Sequence, residues 1–318
     1  MSGAFTNVGR NPDVLITLIN KQFNAAPPQV ETKFDKVAFV DSTSMGLIEF
    51  YPMEVATSKE EEKGPMEERN FTDAEVVTFQ CRAGRIDGGS KRIPIGEIYD
   101  PYRLVQSYAP EIVNQAAKIW DRKLANLINA NGLAHDGLSF FNTAHVANPA
   151  AKKKVTFSND LNAAPDEAGF LAAFNAMQQI PGYDETRINV DMGRPIVLVP
   201  NILMKNAFDK ILNAGLVARQ IAGAAASETT HLVDAAEVVM MPELFDPADA
   251  ASSRRWYLVN RTHSSRRAFI VRNPVQPQFI ITGMNDWYRH SNSARVFYYE
   301  TFGGVGYAMP QLAIRCTF

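Results

Sequence analysis

Cysteine, net charge and long apolar runs are all scarce in this chain of 318 residues. The two cysteines, Cys81 and Cys316, are too few for a disulfide framework and favour assembly in a reducing compartment. A net charge of -2 excludes the strongly basic composition of a dedicated nucleic-acid binder. Residues 1–20 lack the basic and apolar regions of a secretory signal, and no apolar run approaches the roughly 18 residues of a membrane span.

Motifs for catalysis or ligand binding are missing as well. The sequence contains no HExxH, CxxC or DxDxDG metal pattern, no GxSxG nucleophile motif and no GxxxxGK[ST] phosphate loop. Cys81 lies in a predicted strand without a nearby general base, so we expect a packed thiol. Residues 303–306 lack the strand–helix context of a dinucleotide loop and predict a glycine bend between two tail strands.

Histidines are scattered along the chain rather than grouped. Their spacing predicts no metal site, and we expect ordinary hydrogen bonds from those in loops. The histidines are His135, His145, His231, His263 and His290. The sequence therefore predicts no catalytic residue, no cofactor and no metal ion.

Residues 1–35 are polar and interrupted by Pro27 and Pro28, with one apolar patch at residues 14–19. This composition indicates either a frayed terminus or an arm that becomes ordered against a neighbouring subunit.

Residues 36–95 predict a long hairpin. Strand signals rich in β-branched and aromatic residues cover residues 37–40, 48–51 and 74–81. The segment between the last two has no apolar period and is broken by Gly64 and Pro65, which predicts the tip. Because this protrusion has so few apolar residues to bury against its own subunit, it is either mobile or docked on another surface.

Charge is distributed unevenly along the hairpin. Residues 54–69 contain six acidic and three basic side chains, whereas residues 82–92 contain four basic and one acidic. A solvated surface and a charge-complementary docking surface both fit this pattern. For docking, the candidate tip residues are Glu60, Glu61, Glu62, Glu67, Glu68 and Arg69, and the candidate basic contacts on the returning segment are Arg82, Arg85 and Arg92.

The strongest helix signal covers residues 104–131. Apolar residues recur every three or four positions and form one buried stripe, while residues 118 and 121–123 keep another face in water. Pro110 favours a first-turn position, so the regular helix is expected to begin only there, and Asn131 with Gly132 predicts its end. A helix of this size reaches roughly 30–40 Å, long enough for the spine of a flat domain.

A mixed α/β block and a strand-rich tail follow. A loop with two buried aromatic residues is expected at 136–145, a helix at 166–179, an apolar strand at 195–200, and a helix capped by Asn201 and ending near Leu212. Residues 214–230 are rich in small side chains and predict a mobile loop. Further strands are expected at 238–241, 256–259, 268–271, 279–282, 294–299 and 311–315.

A basic stretch at residues 252–272 contains no acidic residue and interleaves Trp256 and Tyr257 with arginines. Phosphates of a nucleic acid, an acidic surface of a neighbouring subunit and solvent are all partners that such a surface accepts. The arginines are Arg254, Arg255, Arg261, Arg266, Arg267 and Arg272.

The order of several sequence blocks resembles the major head subunit of Mu-like tailed bacteriophages, a family with the HK97-type capsid fold. The blocks are FDKVAFV at 34–40, STS at 42–44, EER at 67–69, FFNTAH at 140–145, NP at 148–149, RPIVLVP at 194–200 and WYLVN at 256–260. The resemblance extends over about residues 34–315, nearly the whole chain.

This resemblance implies an α+β, HK97-like fold with named parts. Residues 1–35 would be an N-terminal arm. Residues 36–189 and 291–318 would form a peripheral domain, with an extended loop at about 45–75 and a spine helix at about 104–131. Residues 190–290 would form an axial domain around the hexamer and pentamer axes, and the tail would return to the peripheral sheet.

The implied function is assembly rather than catalysis, namely an icosahedral virion shell built from hexamers and pentamers in the bacterial host cytoplasm. The implied partners are other copies of the chain, double-stranded DNA held without sequence specificity, a portal, a decoration protein and, without a long N-terminal scaffolding segment, a separate scaffold protein. No membrane partner is expected. A nanocompartment shell of the same fold is the nearest alternative, and a soluble α/β enzyme is the alternative from another class.

Overall fold

The computed structural model describes residues 31–54, 76–94, 105–148, 154–182, 187–212, 217–221, 224–228, 232–262, 267–281 and 294–318. The helices are α1 (Phe34–Val37), α2 (Val105–Ala117), α3 (Ile119–Ala130), α4 (Glu167–Gln179) and α5 (Ile202–Leu212). The strands are β1 (Phe39–Asp41), β2 (Ile48–Glu54), β3 (Val76–Arg82), β4 (Gly84–Pro94), β5 (His145–Val146), β6 (Thr156–Phe157), β7 (Asp160–Asn162), β8 (Ile196–Val199), β9 (Val217–Ile221), β10 (Ala224–Glu228), β11 (Glu237–Met240), β12 (Arg255–Val259), β13 (Phe269–Ile281), β14 (Ala294–Tyr307) and β15 (Ala313–Thr317).

The strands of the described chain form two main sheets and three separate pairs. A four-stranded sheet has the order β1-β13-β14-β4, in which only β1 runs parallel to its neighbour. A five-stranded sheet has the order β11-β8-β12-β15-β7, with parallel pairing at both edges and antiparallel pairing between. The pairs are β2–β3, β5–β6 and β9–β10. These sheets and the helices give the expected α+β composition.

Alternating side chains of β8 enter two different apolar cores, which explains why this strand is wholly apolar. Ile196 and Leu198 belong to the core beneath α2, α3 and the four-stranded sheet. Val197 and Val199 belong to the core around α4 and α5. Because successive side chains of a strand point to opposite faces, a strand buried on both faces lacks polar positions. The five-stranded sheet therefore forms a layer between the two cores.

The expected spine is a pair of helices that meet at Lys118. Lys118 has φ -85° and ψ 4°, and the backbone N–H of Arg122 still donates to the Lys118 carbonyl oxygen at 3.0 Å. Pro110 lies inside α2 rather than at its first turn, so the expected start is wrong; proline removes only one helix hydrogen bond there. Asn131, with φ 45°, ends α3 in the left-handed conformation, which confirms the predicted stop.

Side-chain caps begin both helices of the α/β block, and the predicted cap Asn201 is confirmed. The Oδ1 atom of Asp166 accepts the backbone N–H of Gly169 at 2.7 Å and begins α4. The Oδ1 atom of Asn201 accepts the N–H of Met204 at 2.9 Å and begins α5 directly after β8. Short polar side chains at these positions satisfy backbone donors that a helix leaves unpaired at its first turn.

Residues 303–306 lie within β14 and do not form the expected bend. A Cβ atom at Gly303 would collide with the carbonyl oxygen of Arg272 and the ring of Trp120. One at Gly304 would collide with the carbonyl oxygen of Arg82. The glycines therefore serve the close approach of α3, β13 and the end of β3 to this strand.

The tail of the chain divides between both sheets. β14 pairs with β4 and β13, but β15 lies between β12 and β7 of the five-stranded sheet. The Ile314 and Cys316 side chains of β15 are fully buried in the core around α4 and α5. The return of the tail to a peripheral sheet and the proposed domain boundaries stay predictions.

Two smaller differences concern local structure. The residues around Val37, expected as the start of a strand, form the four-residue helix α1, and the strand begins at Phe39. The expected mobile loop at 214–230 contains the antiparallel ribbon β9–β10, paired from Val217 opposite Glu228 to Ile221 opposite Ala224. Backbone pairing stabilises a ribbon of small residues that side-chain composition does not reveal.

Candidate functional site

The stem of the predicted hairpin is present as the antiparallel pair β2–β3. Its register runs from Ile48 opposite Arg82 to Glu54 opposite Val76. The tip lies outside the described residues, together with its candidate contacts Glu60, Glu61, Glu62, Glu67, Glu68 and Arg69. The described stem therefore defines where the extension leaves the body of the protein.

The stem has one buried face and one exposed face. On the buried face Phe79 and Cys81 join the core, and the ring of Tyr51 packs edge-on against Phe39. The Tyr51 hydroxyl donates to Asp41 Oδ2 at 2.5 Å, which fixes this face to β1. On the opposite face Ile48 and Phe50 of the next alternate positions are exposed. One face thus holds the stem on its own subunit and leaves the other available.

Arg272 of β13 fixes the base of the stem, and we name its contacts the hairpin junction. Its Nη1 donates to the carbonyl oxygen of Cys81 at 3.0 Å. Its Nη2 donates to the carbonyl oxygens of Ser44 at 3.1 Å and Gly46 at 2.7 Å, and to Ser44 Oγ at 3.0 Å. One fully buried guanidinium therefore joins the segment before β2 to the last residues of β3.

The charge of Arg272 is balanced mainly by these carbonyl oxygens. The nearest carboxylate is Glu49 Oε2 at 3.9 Å, which also accepts the hydroxyl of Ser44. Burial raises the pKa of the Cys81 thiol to about 11, although the nearby positive charge of Arg272 lowers it, so this thiol stays neutral. The prediction that Cys81 is a packed thiol is confirmed by its complete burial.

A second junction, the arm junction, connects the N-terminal segment to α3. Asp121 Oδ1 accepts the backbone N–H groups of Lys33 at 3.0 Å and Phe34 at 2.8 Å. These donors precede or begin α1, so Asp121 supplies from another element the acceptor that α1 lacks at its own N-cap. Asp121 is buried, not solvated as its helix face predicted, and burial raises its pKa. Residues 1–30 of the expected arm lie outside the described residues.

Glu237 links α1 to the five-stranded sheet. It accepts Lys36 Nζ at 3.2 Å and Arg261 Nη1 at 2.7 Å. The two cations hold the pKa of the Glu237 carboxyl below its usual value despite partial burial, which raises it. The segment entering the fold is therefore fixed both to α3 and to the edge strand β11.

The structure disperses the predicted basic stretch at residues 252–272. Arg255 pairs with Asp249 at 2.5 Å, Arg261 pairs with Glu237, and Arg272 is buried at the hairpin junction. Arg254 is exposed, whereas partial burial lowers the pKa of Arg267. Arg266 lies outside the described residues. Long-range ion pairs and burial thus occupy several members of the stretch, and its role as a contact surface stays a prediction.

The basic residues of the returning segment also differ from one another. Arg85 is exposed but pairs with both Asp87 and Glu300 at 3.0 Å. Arg82 is exposed at the base of the stem. Arg92 belongs to β4, and its side chain lies outside the described part of the structure. Arg82 is therefore the member of this set that is most available to a partner.

His145 makes structural hydrogen bonds, as expected for a loop histidine. Its Nδ1 lies 2.6 Å from Asp136 Oδ2 and its Nε2 lies 3.0 Å from the carbonyl oxygen of Phe140. Both ring nitrogens therefore have a partner within the subunit, and His145 is held in the loop between α3 and β5. The described residues contain no group of three or more potential metal ligands. Nor does any described helix have the length and apolarity that crossing a bilayer requires.

The two residues that organise the junctions, Asp121 and Arg272, were not identified as sites from the sequence. Asp121 lies in a charged run of the spine, and Arg272 lies in the basic stretch. Their burial depends on partners far away in the chain, and no local pattern indicates it.

Several solved capsids resemble this fold over most of the chain. The capsid of the cyanophage P-SCSP1u matches with a TM-score of 0.57 and 12% identity, over 92% of this chain and 89% of that chain. The mature capsid of bacteriophage PhiM1 matches with a TM-score of 0.56 and 11% identity, over 92% and 88%. The capsid of a native GTA particle matches with a TM-score of 0.54 and 10% identity, over 93% and 96%.

No protein-family model and no curated protein sequence matches the chain. The structural likeness covers about nine tenths of the chain and establishes its fold. The chain has the HK97-like phage capsid fold, which confirms the fold expected from the sequence blocks.

Proposed function

We propose that this chain is a major capsid protein that assembles into the icosahedral head of a tailed bacteriophage around double-stranded DNA. The observation that carries the proposal is the likeness to phage capsids over about nine tenths of the chain. A fold alone hosts many functions, so the extensions matter as independent support. The hairpin stem and the N-terminal segment are each fixed at one buried junction and continue beyond it.

Assembly through two extensions explains how weak contacts produce a stable shell. Each association between subunits costs translational and rotational entropy, which a single small surface offsets poorly. When an arm and a hairpin each reach a neighbour, one subunit makes several contacts, and closure of the shell makes later contacts effectively intramolecular. Rigid junctions such as that of Arg272 reduce the further entropy lost when the extensions bind.

In this proposal the protein has a structural rather than an enzymatic role, and it is located in the capsid of the virion. The partners in this proposal are other copies of the chain in hexamers and pentamers, and packaged DNA held without base recognition. The Mu-like assignment rests on the order of the sequence blocks, in particular those at residues 34–44 and 194–200. A portal, a scaffold protein, a decoration protein and assembly in the host cytoplasm stay predictions of that resemblance.

Imaging the purified protein tests this proposal. After expression in bacteria, electron microscopy and light scattering should show closed shells of megadalton mass. A protein that remains monomeric or dimeric would overturn the proposal. Particles isolated from infected cells should contain nuclease-protected double-stranded DNA. Shells that instead enclose a specific protein cargo would favour the nanocompartment alternative.

A further inference from the structure

Arg267 lies just before β13, on a basic stretch whose two ends are fixed to one short piece of chain. Its carbonyl oxygen accepts the backbone N–H of Met309 at 3.3 Å. At the other end, the N–H of Asn260 donates to the carbonyl oxygen of Leu312 at 2.9 Å. Arg267 and Arg261 are therefore both held next to the residues that connect β14 to β15.

The charge of Arg267 has no counterion in the part of the chain that the structure describes. No described carboxylate pairs with its guanidinium, and its Nη1 atom is buried without a described hydrogen-bond acceptor. Burial and the positive charge of Arg261 both lower its pKa. Residues 262–266, between the two arginines, include no acidic residue. Because an uncompensated buried charge is costly, an anion bound there would stabilise the folded protein.

Arg261 is held in place by partners of its own, but they do not balance the local charge. Its Nη1 pairs with Glu237 at 2.7 Å, and its Nε donates to the carbonyl oxygen of Arg194 at 3.1 Å. Glu237 also pairs with Lys36 at 3.2 Å. Lys36, Arg261 and Arg267 thus carry three positive charges against one carboxylate, which leaves an excess of two.

A second buried polar group in the same place lacks a partner. Gln311 lies between Met309 and Leu312, the two residues to which the basic stretch is fixed. It is fully buried, and within the described ranges neither its Oε1 nor its Nε2 atom makes a hydrogen bond. Buried carboxamides normally have partners, so this one indicates a further donor for a ligand.

We propose that Arg267 and Arg261 form a binding site for a single phosphate group. Each guanidinium donates several N–H groups in a planar fork that fits phosphate oxygens, and it tolerates partial burial because it is weakly hydrated. A phosphate with a charge near -2 matches the local excess of positive charge better than a carboxylate with a charge of -1. Free phosphate and the backbone of packaged DNA are the two sources of this group.

Thermal unfolding of the purified protein tests the site. Phosphate is added up to about 10 mM, and chloride keeps the ionic strength constant. The Tm of the wild type should rise and saturate, because phosphate binds the folded state. Arg267→Met should lose at least about four fifths of this rise. Phosphate also stabilises proteins by exclusion from their surfaces, so equal rises in wild type and Arg267→Met would overturn the proposal.

The two buffers also separate ligand binding from a purely structural role of Arg267. Without phosphate, Arg267→Met should be at least as stable as wild type, because it removes an uncompensated charge. If the variant were instead destabilised equally in both buffers, Arg267 would be a structural residue and the proposal would be wrong. Arg254→Met removes an exposed arginine of the same stretch and should respond to phosphate as the wild type does.

Phosphorus NMR identifies the source of the phosphate group. Wild-type protein should broaden the signal of inorganic phosphate more than Arg267→Met does, and equal broadening would contradict the site. A short DNA duplex without terminal phosphates is then added. Loss of the broadening identifies the DNA backbone as the ligand, and its persistence identifies free phosphate; both results support the site. Binding is measured on single subunits or on shells, so its failure would leave the proposed capsid function intact.

Discussion

Arg272 donates to the carbonyl oxygen of Cys81 at 3.0 Å, although 191 positions separate the two residues in the chain. Through this bond and those to Ser44 and Gly46, β13 holds both legs of the hairpin at the point where it leaves the body. One buried side chain thus joins the two legs of the extension at its base. Variants of Arg272 separate the effect of this junction from the effects of the hairpin contacts themselves.

Arg272→Met should destabilise the subunit by about 3–5 kcal/mol, since it leaves several buried carbonyl oxygens without a donor. Arg272→Lys should lose less of the free energy of unfolding, because an ammonium retains the charge and some of the hydrogen bonds. Urea unfolding measures both variants, with Arg254→Met as a control on an exposed arginine, expected within about 0.5 kcal/mol of wild type. Equal free energies of unfolding for Arg272→Met and the control would show that the hairpin junction does not stabilise the subunit.

Cys81 reports on the same junction chemically. Its pKa of about 11 and its burial should keep it unreactive toward a thiol reagent at pH 8 in the wild-type protein. In Arg272→Met the base of the hairpin should open more often, so Cys81 should react faster while the protein remains folded. Mass spectrometry identifies the labelled cysteine, and Cys316 in the other core is the internal reference.

Substitutions of Asp121 should distinguish its hydrogen bonds from its charge. Asp121→Ala removes the acceptor for Lys33 and Phe34 and should cost about 1–2 kcal/mol. It should also increase hydrogen exchange in α1. Asp121→Asn retains an acceptor oxygen without the cost of burying a charge, so α1 should stay protected. Loss of protection in the Asn variant would mean that the charge is essential.

The stability difference between Asp121→Asn and wild type should depend on pH. Burial raises the folded-state pKa of Asp121 above the ordinary value of 3.8. The carboxyl therefore stabilises the fold fully only below that value, and its contribution is lost as the pH rises through the folded-state pKa. The Asn variant should gain stability relative to wild type over this rise, and no gain should appear at lower pH. Chemical unfolding at a series of pH values measures the difference.

Gly303→Ala should destabilise the protein, whereas the same substitution at its strand partner Gly84 should not. The two glycines lie opposite each other in the β14–β4 register. A Cβ at Gly303 collides with the backbone of Arg272 and the ring of Trp120, while a Cβ at Gly84 meets nothing within 4 Å. We expect a loss of about 1–3 kcal/mol for Gly303→Ala and little change for Gly84→Ala. Thermal unfolding of both variants measures the difference.

Asp136→Asn should break the buried pair with His145 and destabilise the loop between α3 and β5. Hydrogen bonding to His145 and to the N–H of Leu138 lowers the pKa of Asp136, although burial opposes this. Its contribution is therefore present above the ordinary value of 3.8 and is lost as the pH falls through the lower folded-state pKa. At neutral pH the variant should lose about 1–3 kcal/mol of stability, because the hydrogen bond to the His145 ring loses its charged acceptor. The stability difference between wild type and Asp136→Asn should become smaller in acid. Chemical unfolding at a series of pH values measures it.

Local sequence signals predicted the elements whose causes are local. The cap Asn201, the apolar strand β8 and the stem β2–β3 follow from signals within short stretches of the sequence. The α+β composition followed from the succession of these elements. The HK97-like fold was expected from the order of the sequence blocks, since no single block specifies it.

Features that depend on distant partners were not predictable in the same way. The basic stretch appeared continuous because its compensating acids, such as Asp249 and Glu237, precede it in the chain. The glycines at 303–306 suggested a bend, because the backbone they accommodate belongs to β13 and to Arg82. For the same reason Asp121 was expected in water, whereas it binds the backbone of residues 33 and 34.

The position of β15 has a consequence for the order in which the protein folds. β15 is an internal strand, between β12 and β7, and 155 positions separate Arg315 from its partner Asp160 in β7. Until Ala313–Thr317 pairs, β12 and β7 lack the strand that joins them, and the apolar layer beneath them stays open. Because contacts between distant segments form slowly, completion of the five-stranded sheet is expected to be a late step of folding.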